Sequence, residues 1–90
     1  MKAGAERETE TLVDRVRAIR AAVGPEIALR IDVNGAWDLA TAEERISAIA
    51  RFGVEYVEQP LPAHELEQSA ELRRRVRVPI ALDESAESPG

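Results

Sequence analysis

The chain has no cysteine, which excludes disulfide crosslinks, thiolate nucleophiles and thiolate metal ligands. Aromatic residues are scarce: Trp37, Phe52 and Tyr56 make up 3% of the sequence, so its core has to be aliphatic. No apolar run approaches the roughly 20 residues that cross a bilayer, and the first residues, MKAGAERE, lack the apolar stretch of a secretory signal. A soluble, cytoplasmic protein is therefore the expectation, with no membrane partner. Positive charge is in deficit, 12 Lys and Arg against 17 Asp and Glu for a net −5, which argues against nucleic acid as a partner and suits cation binding. The single histidine, His64, stands in a polar segment far in sequence from the acids that matter below, and is a weak candidate for catalysis.

What is present is the composition of a globular domain, 44% hydrophobic and 32% charged over 90 residues. A chain of this length buries roughly 60–70% of its unfolded surface, enough for one small domain. Leu12, Val16, Ile19 and Val23 form the stripe of an amphipathic helix over residues 9–23, stopped by Gly24 and Pro25. IALRID, residues 27–32, alternates as a strand and ends on Asp32. After the turn residues NGAWD, Thr41 and Glu44 read as a capping box that opens a helix running through Ile46 and Ile49 to Gly53. VEYVE, residues 54–58, is a second strand ending on Glu58. A helix over 64–75, with Leu66, Ala70 and Leu72 as its buried positions, leads to PIALD, a third strand ending on Asp83. The order α-β-α-β-α-β predicts an α/β protein with parallel strands and crossover helices.

Three strands thus end on an acid, and the acids recur at intervals of 26 and 25 residues. In a parallel sheet such positions share the carboxyl edge, where α/β folds bind ligands. An acid after one strand is commonly a helix cap or a solvated loop residue. Three of them support a shared cation and a repeated polar loop start about equally, and spacing alone does not decide between the two. If a cation is held there, hard carboxylate oxygens suit Mg²⁺ better than a soft metal.

The local sequences say more. RIDVNGAW (30–37), VEYVEQP (54–60) and VPIALDES (78–85) together resemble the enolase superfamily, in its muconate-lactonizing-like subgroup. Within that subgroup they most resemble the o-succinylbenzoate synthases of menaquinone biosynthesis. The resemblance implies part of a TIM-type barrel, with Asp32, Glu58 and Asp83 as Mg²⁺ ligands. It also places Asn34 and Glu84 beside the metal without binding it directly. Lys2, followed by Ala3 and Gly4, is similar to the second lysine of the family's K-x-K motif and would be the general base, although Met1 takes the intervening position. The implied reaction removes a proton α to the carboxylate of a small-molecule substrate and expels a hydroxyl as water. The same subgroup holds cycloisomerases and acylamino-acid or dipeptide racemases.

A complete barrel needs eight βα units in about 250 residues. The resemblance therefore implies a piece of a longer enzyme, from the end of the second barrel strand to the fifth, without the capping domain or the sixth-strand lysine. By itself such a piece is expected to be inactive and, with open sheet edges, to self-associate. Trp37 is expected to pack over the barrel mouth, and Gln59 and Pro60 to shape the loop that presents Glu58. Arg73, Arg74, Arg75 and Arg77 are expected to form a solvated helix end rather than a phosphate site.

Overall fold

The structure, a computed structural model, describes residues 1–82. Helix α1 (Thr9–Val23) precedes strand β1 (Leu29–Asp32), and helix α2 (Leu39–Ile49) with a short 3₁₀ turn (Ala50–Phe52) precedes β2 (Val54–Glu58). Helix α3 (Leu66–Arg75) then leads to β3 (Ile80–Ala81). The strands are parallel in the order β1-β2-β3, so the expected α/β architecture with crossover helices is the one adopted. No described helix is long and apolar enough to cross a membrane.

The helices cover one face of the sheet. Leu12 and Val16 of α1, Ile46 and Ile49 of α2 and Leu72 of α3 close over Ile31, Val33, Val57 and Leu61 in an aliphatic core. Along β1 the burial alternates, Leu29 and Ile31 inward, Arg30 and Asp32 away from the helices. Between Leu29–Val54 and Arg30–Tyr56 the register slips by one residue, leaving Glu55 as a bulge. After it Arg30 pairs with Tyr56 and Asp32 with Glu58. The uncovered face therefore carries a polar set, in which the Arg30 guanidinium lies 5.6 Å from the Tyr56 ring and 3.4 Å from the Glu55 carboxylate.

Several local expectations are corrected. Strand β1 starts at Leu29 rather than residue 27, and Ile27 is 53% exposed. Its carbonyl is taken by Arg20, whose guanidinium also serves the carbonyls of Gly24, Phe52 and Gly53, so it makes no ladder bond. Val23 lies on the apolar face of α1 but in its last turn, which nothing covers, and is exposed. Helix α2 is capped by Asp38, which accepts from the Thr41 N–H at 2.7 Å, and not by Thr41. Glu44, the expected partner in a capping box, instead accepts from the Thr9 hydroxyl at the start of α1.

On α3 the buried residues are Ser69 and Leu72, while Leu66 and Ala70 face solvent. The inward face runs 69, 72, 76, about 100° round the helix from Leu66 and Ala70. Two candidate residues, Asp83 and Glu84, lie outside the described residues.

Candidate metal centre

The carboxyl edge begins with the pairing of the strand ends. Asp32 stands in register with Glu58, and Glu58 with Ala81. On the other side of β1 the first residues run parallel to it, with a bridge between Lys2 and Asp32. Two short bonds make that bridge: Asp32 N–H to the Met1 carbonyl at 2.8 Å and Ala3 N–H to the Asp32 carbonyl at 2.7 Å. Lys2, Asp32, Glu58 and Ala81 thus form one row across four adjacent chain segments, spaced about 4.8 Å apart as strands are.

The loops beyond this row are fixed by their backbones. Asp32 Oδ1 accepts from the Asn34 N–H at 3.1 Å, an Asx turn. Asn34 and Gln59 both adopt left-handed φ, 56° and 48°, a cost that non-glycine residues carry where the surroundings require it. Gln59 explains how its cost is met. Its N–H donates to Ala81 at 2.8 Å, its carbonyl accepts from Gly35 at 2.6 Å, and its side-chain amide donates to the Leu61 carbonyl at 2.6 Å. The chain therefore turns sharply immediately after Glu58. Gly35 must be glycine for this: a Cβ there would lie 3.1 Å from Pro62 Cα at a φ of 71°.

Asp32 and Glu58 are half-buried, and among the described residues no cation pairs with either. This is a donor set of the kind Mg²⁺ takes: hard oxygens, few in number, with room for water to complete the shell. Two of the three expected ligands are brought together. The third, Asp83, lies outside the described residues, and among the described residues no group of three potential ligands forms. His64 is exposed, its ring 3.3 Å from the Glu65 carboxylate. Trp37 is buried at 3% exposure with the Arg45 guanidinium 5.6 Å from its ring, a packing role as expected. Arg74 and Arg75 pair with Glu71 on their own helix, in keeping with a solvated helix end.

Three residues near Lys2 escape sequence reading: Glu6, Arg15 and Arg45. Arg15 joins Glu6 and the Lys2 carbonyl, and Arg45 donates to the Glu6 carbonyl at 2.9 Å. Their partners stand 9, 13 and 39 residues away in sequence, so no local pattern marks them. A surface cavity of about 490 Å³ bordered by Arg20, Glu26, Arg51 and Glu55 opens at the opposite, amino edge. Arg20 is fully engaged there by backbone carbonyls, and the cavity brings together no set of acids.

The chain matches the family described as enolase C-terminal domain-like over residues 1–90. It is 55% identical over 80 residues to o-succinylbenzoate synthase of Thermobifida fusca, a match covering 86% of this chain and 25% of that protein. It is 44% identical over 75 residues to muconate cycloisomerase 1 of Rhodococcus opacus, covering 83% of this chain and 20% of that one. In structure it resembles o-succinylbenzoate synthase from Thermosynechococcus elongatus BP-1, complexed with magnesium in the active site, at a TM-score of 0.82 and 40% identity. That likeness covers 93% of this chain and 27% of the other. The chain thus spans about a quarter or less of these relatives' length.

Proposed function

The chain belongs to the enolase C-terminal domain-like family, and from that premise we propose that it supplies the Mg²⁺-binding edge and the base of an enzyme that removes a proton α to a carboxylate. The observation that carries the reading is the single row formed by Lys2, Asp32 and Glu58. Asp32 and Glu58 would hold Mg²⁺ together with Asp83, which follows Ala81 by two residues in the sequence. The metal, when bound, would offset the negative charge that develops on the substrate carboxylate. Lys2, one segment away from Asp32 in the row, would accept the proton through its side-chain amine. Asn34 and Gln59 hold the two ligand-bearing loops in their left-handed turns and so fix where the carboxylates point.

For the reaction itself we favour loss of water from a substrate of the o-succinylbenzoate synthase kind, on the 55% identity to the Thermobifida synthase. The 44% identity to a muconate cycloisomerase supports the second reading, an isomerisation through the same proton chemistry. Both readings share the metal site, which is tested first. Calorimetric titration with Mg²⁺ should show binding to the parent chain and none to the triple variant Asp32→Asn, Glu58→Gln, Asp83→Asn. Equal heats from the two proteins, or none from either, would count against a site formed by these three carboxylates.

A further inference from the structure

Lys2 is the one lysine in the sequence, and its main chain is held more firmly than a two-bond bridge requires. The Arg15 guanidinium, projecting from α1, donates through Nη2 to the Lys2 carbonyl at 3.1 Å and through Nη1 to the Glu6 carboxylate. The Glu6 side chain is only 3% exposed. Its other oxygen accepts from the Gly4 N–H at 3.0 Å, and its carbonyl accepts from Arg45 Nη1 at 2.9 Å. Arg45 is itself buried against Trp37. A buried carboxylate is retained only where donors surround it, and here they come from Arg15 of α1 and from the turn that follows Lys2, while Arg45 of α2 fixes the main chain of the same residue.

The turn is tight. Gly4 has a φ of 114°, and a Cβ there would lie 2.9 Å from both the Val33 carbonyl and the Ala36 Cβ. The end of the Lys2 segment is therefore seated directly on the loop that follows Asp32. A lysine has a long, flexible stem, so what the fold can set is the position of its Cα and the direction of its backbone. Misplacing a reacting group by about 1 Å can cost roughly a hundredfold in rate, which gives a function to such seating.

We infer that Glu6 and Arg15 are positioning residues that hold Lys2 against Asp32 and so set the distance between the lysine amine and the Asp32–Glu58 pair. The inference rests on the reading of Lys2 as the base. The planar fork of Arg15 is needed because it serves a carboxylate and a carbonyl at once, which a lysine at that position does not reproduce.

Two measurements test this in the 90-residue chain. The first is amide hydrogen exchange at Ala3, whose N–H bonds to Asp32, compared with Val57 in the centre of the sheet. Arg15→Lys, Arg15→Met and Glu6→Gln should each speed exchange at Ala3 about tenfold while leaving Val57 unchanged, the signature of local opening. Unchanged exchange at Ala3 overturns the clamp whether or not a metal binds. Loss of protection at Val57 in one variant marks global unfolding, and the Arg15→Lys protein, the mildest of the three, then decides.

The second uses selective ¹³Cε labelling of lysine in the parent, Arg15→Met and Glu6→Gln proteins, in each of which Lys2 is the one lysine and gives one side-chain signal, with Mn²⁺ as a paramagnetic probe. At equal Mn²⁺ occupancy the Lys2 signal should broaden strongly in the parent and less in the variants. Equal broadening overturns the inference, since a merely stabilising contact does not change the distance from lysine to metal. Failure of the parent to bind Mn²⁺ strikes instead at the metal reading, and the exchange data then judge the clamp alone.

Discussion

Asp32 and Glu58 stand opposite one another in register across the β1–β2 ladder, two carboxylates on adjacent parallel strands. Like charges placed directly opposite destabilise a sheet. Without a cation this pair works against the fold, and it becomes favourable only when positive charge lies between its members.

A stability prediction follows from that sign. In the presence of a chelator, Glu58→Gln should unfold at a higher temperature than the parent, with a gain of about 0.5 kcal/mol. In Mg²⁺ the order should reverse, because only the parent gains from binding. Thermal melts with and without the metal read both halves. A Glu58→Gln protein less stable than the parent in chelator would show that the carboxylate has a structural use beyond the metal.

A pH dependence is expected at the start of α2. Asp38 has its carboxyl held below the ordinary range, first by the hydrogen bond from the Thr41 backbone N–H and then by the Thr41 hydroxyl. A folded value below the unfolded one stabilises the fold fully above the ordinary carboxylate pKa of about 4 and loses that contribution as the pH falls through the lowered value. Asp38→Asn keeps the acceptor and removes the titration, so its stability profile between pH 5 and the acid limit should be flatter than the parent's by urea unfolding. Asp38→Ala should be less stable than the parent at neutral pH, since Thr41 N–H loses its cap. If Asp38→Ala and the parent unfold alike, then Thr41 is the cap after all.

The element order and the acids that close β1 and β2 were legible because both rest on short-range pattern: alternation along IALRID, helical spacing for Leu12 and Val16, and a carboxylate at the end of each of those two strands. What escaped the pattern has particular causes. Asp38 and Thr41 are both good caps three residues apart, and the choice between them is made by where Leu39 and Ala42 meet the core rather than by cap chemistry. On α3 the apolar residues Leu66 and Ala70 suggest one face, but Ser69 and Leu72 are the ones buried, because packing geometry sets the face even though the Ser69 hydroxyl finds no partner among the described residues. The bulge at Glu55 breaks the alternation of its own strand, where the buried Val54 and Val57 are three residues apart, but a run as short as VEYVE gives its register only once paired with β1. Glu6 and Arg45 are the plainest case. A buried acid and a buried arginine read as surface residues until the fold brings them, 39 positions apart, into one bond.

Water loss and isomerisation are reactions of relatives of which this chain spans a quarter or less, and a transplant addresses the choice between them. The matched segment of the Thermobifida synthase, extended at its ends to take in the positions of Lys2 and Asp83, can be replaced by this chain. The Lys2, Asp32, Glu58 and Asp83 of this chain would then meet the remainder of a synthase already committed to its own substrate. If the row on the carboxyl edge is interchangeable, the chimera should keep synthase activity within about tenfold of the parent, a barrier difference of about 1.4 kcal/mol. The same chimera with Lys2→Ala should lose several orders of magnitude in kcat while retaining Mg²⁺ binding, because the base acts in the chemical step and the carboxylates remain. A chimera that binds Mg²⁺ but is inactive with Lys2 intact would mean that this edge is tuned to another member of the family, and the cycloisomerase substrate would be tried next in the corresponding Rhodococcus transplant. Retained activity in the Lys2→Ala chimera would remove Lys2 from the chemistry and leave this chain with the metal alone.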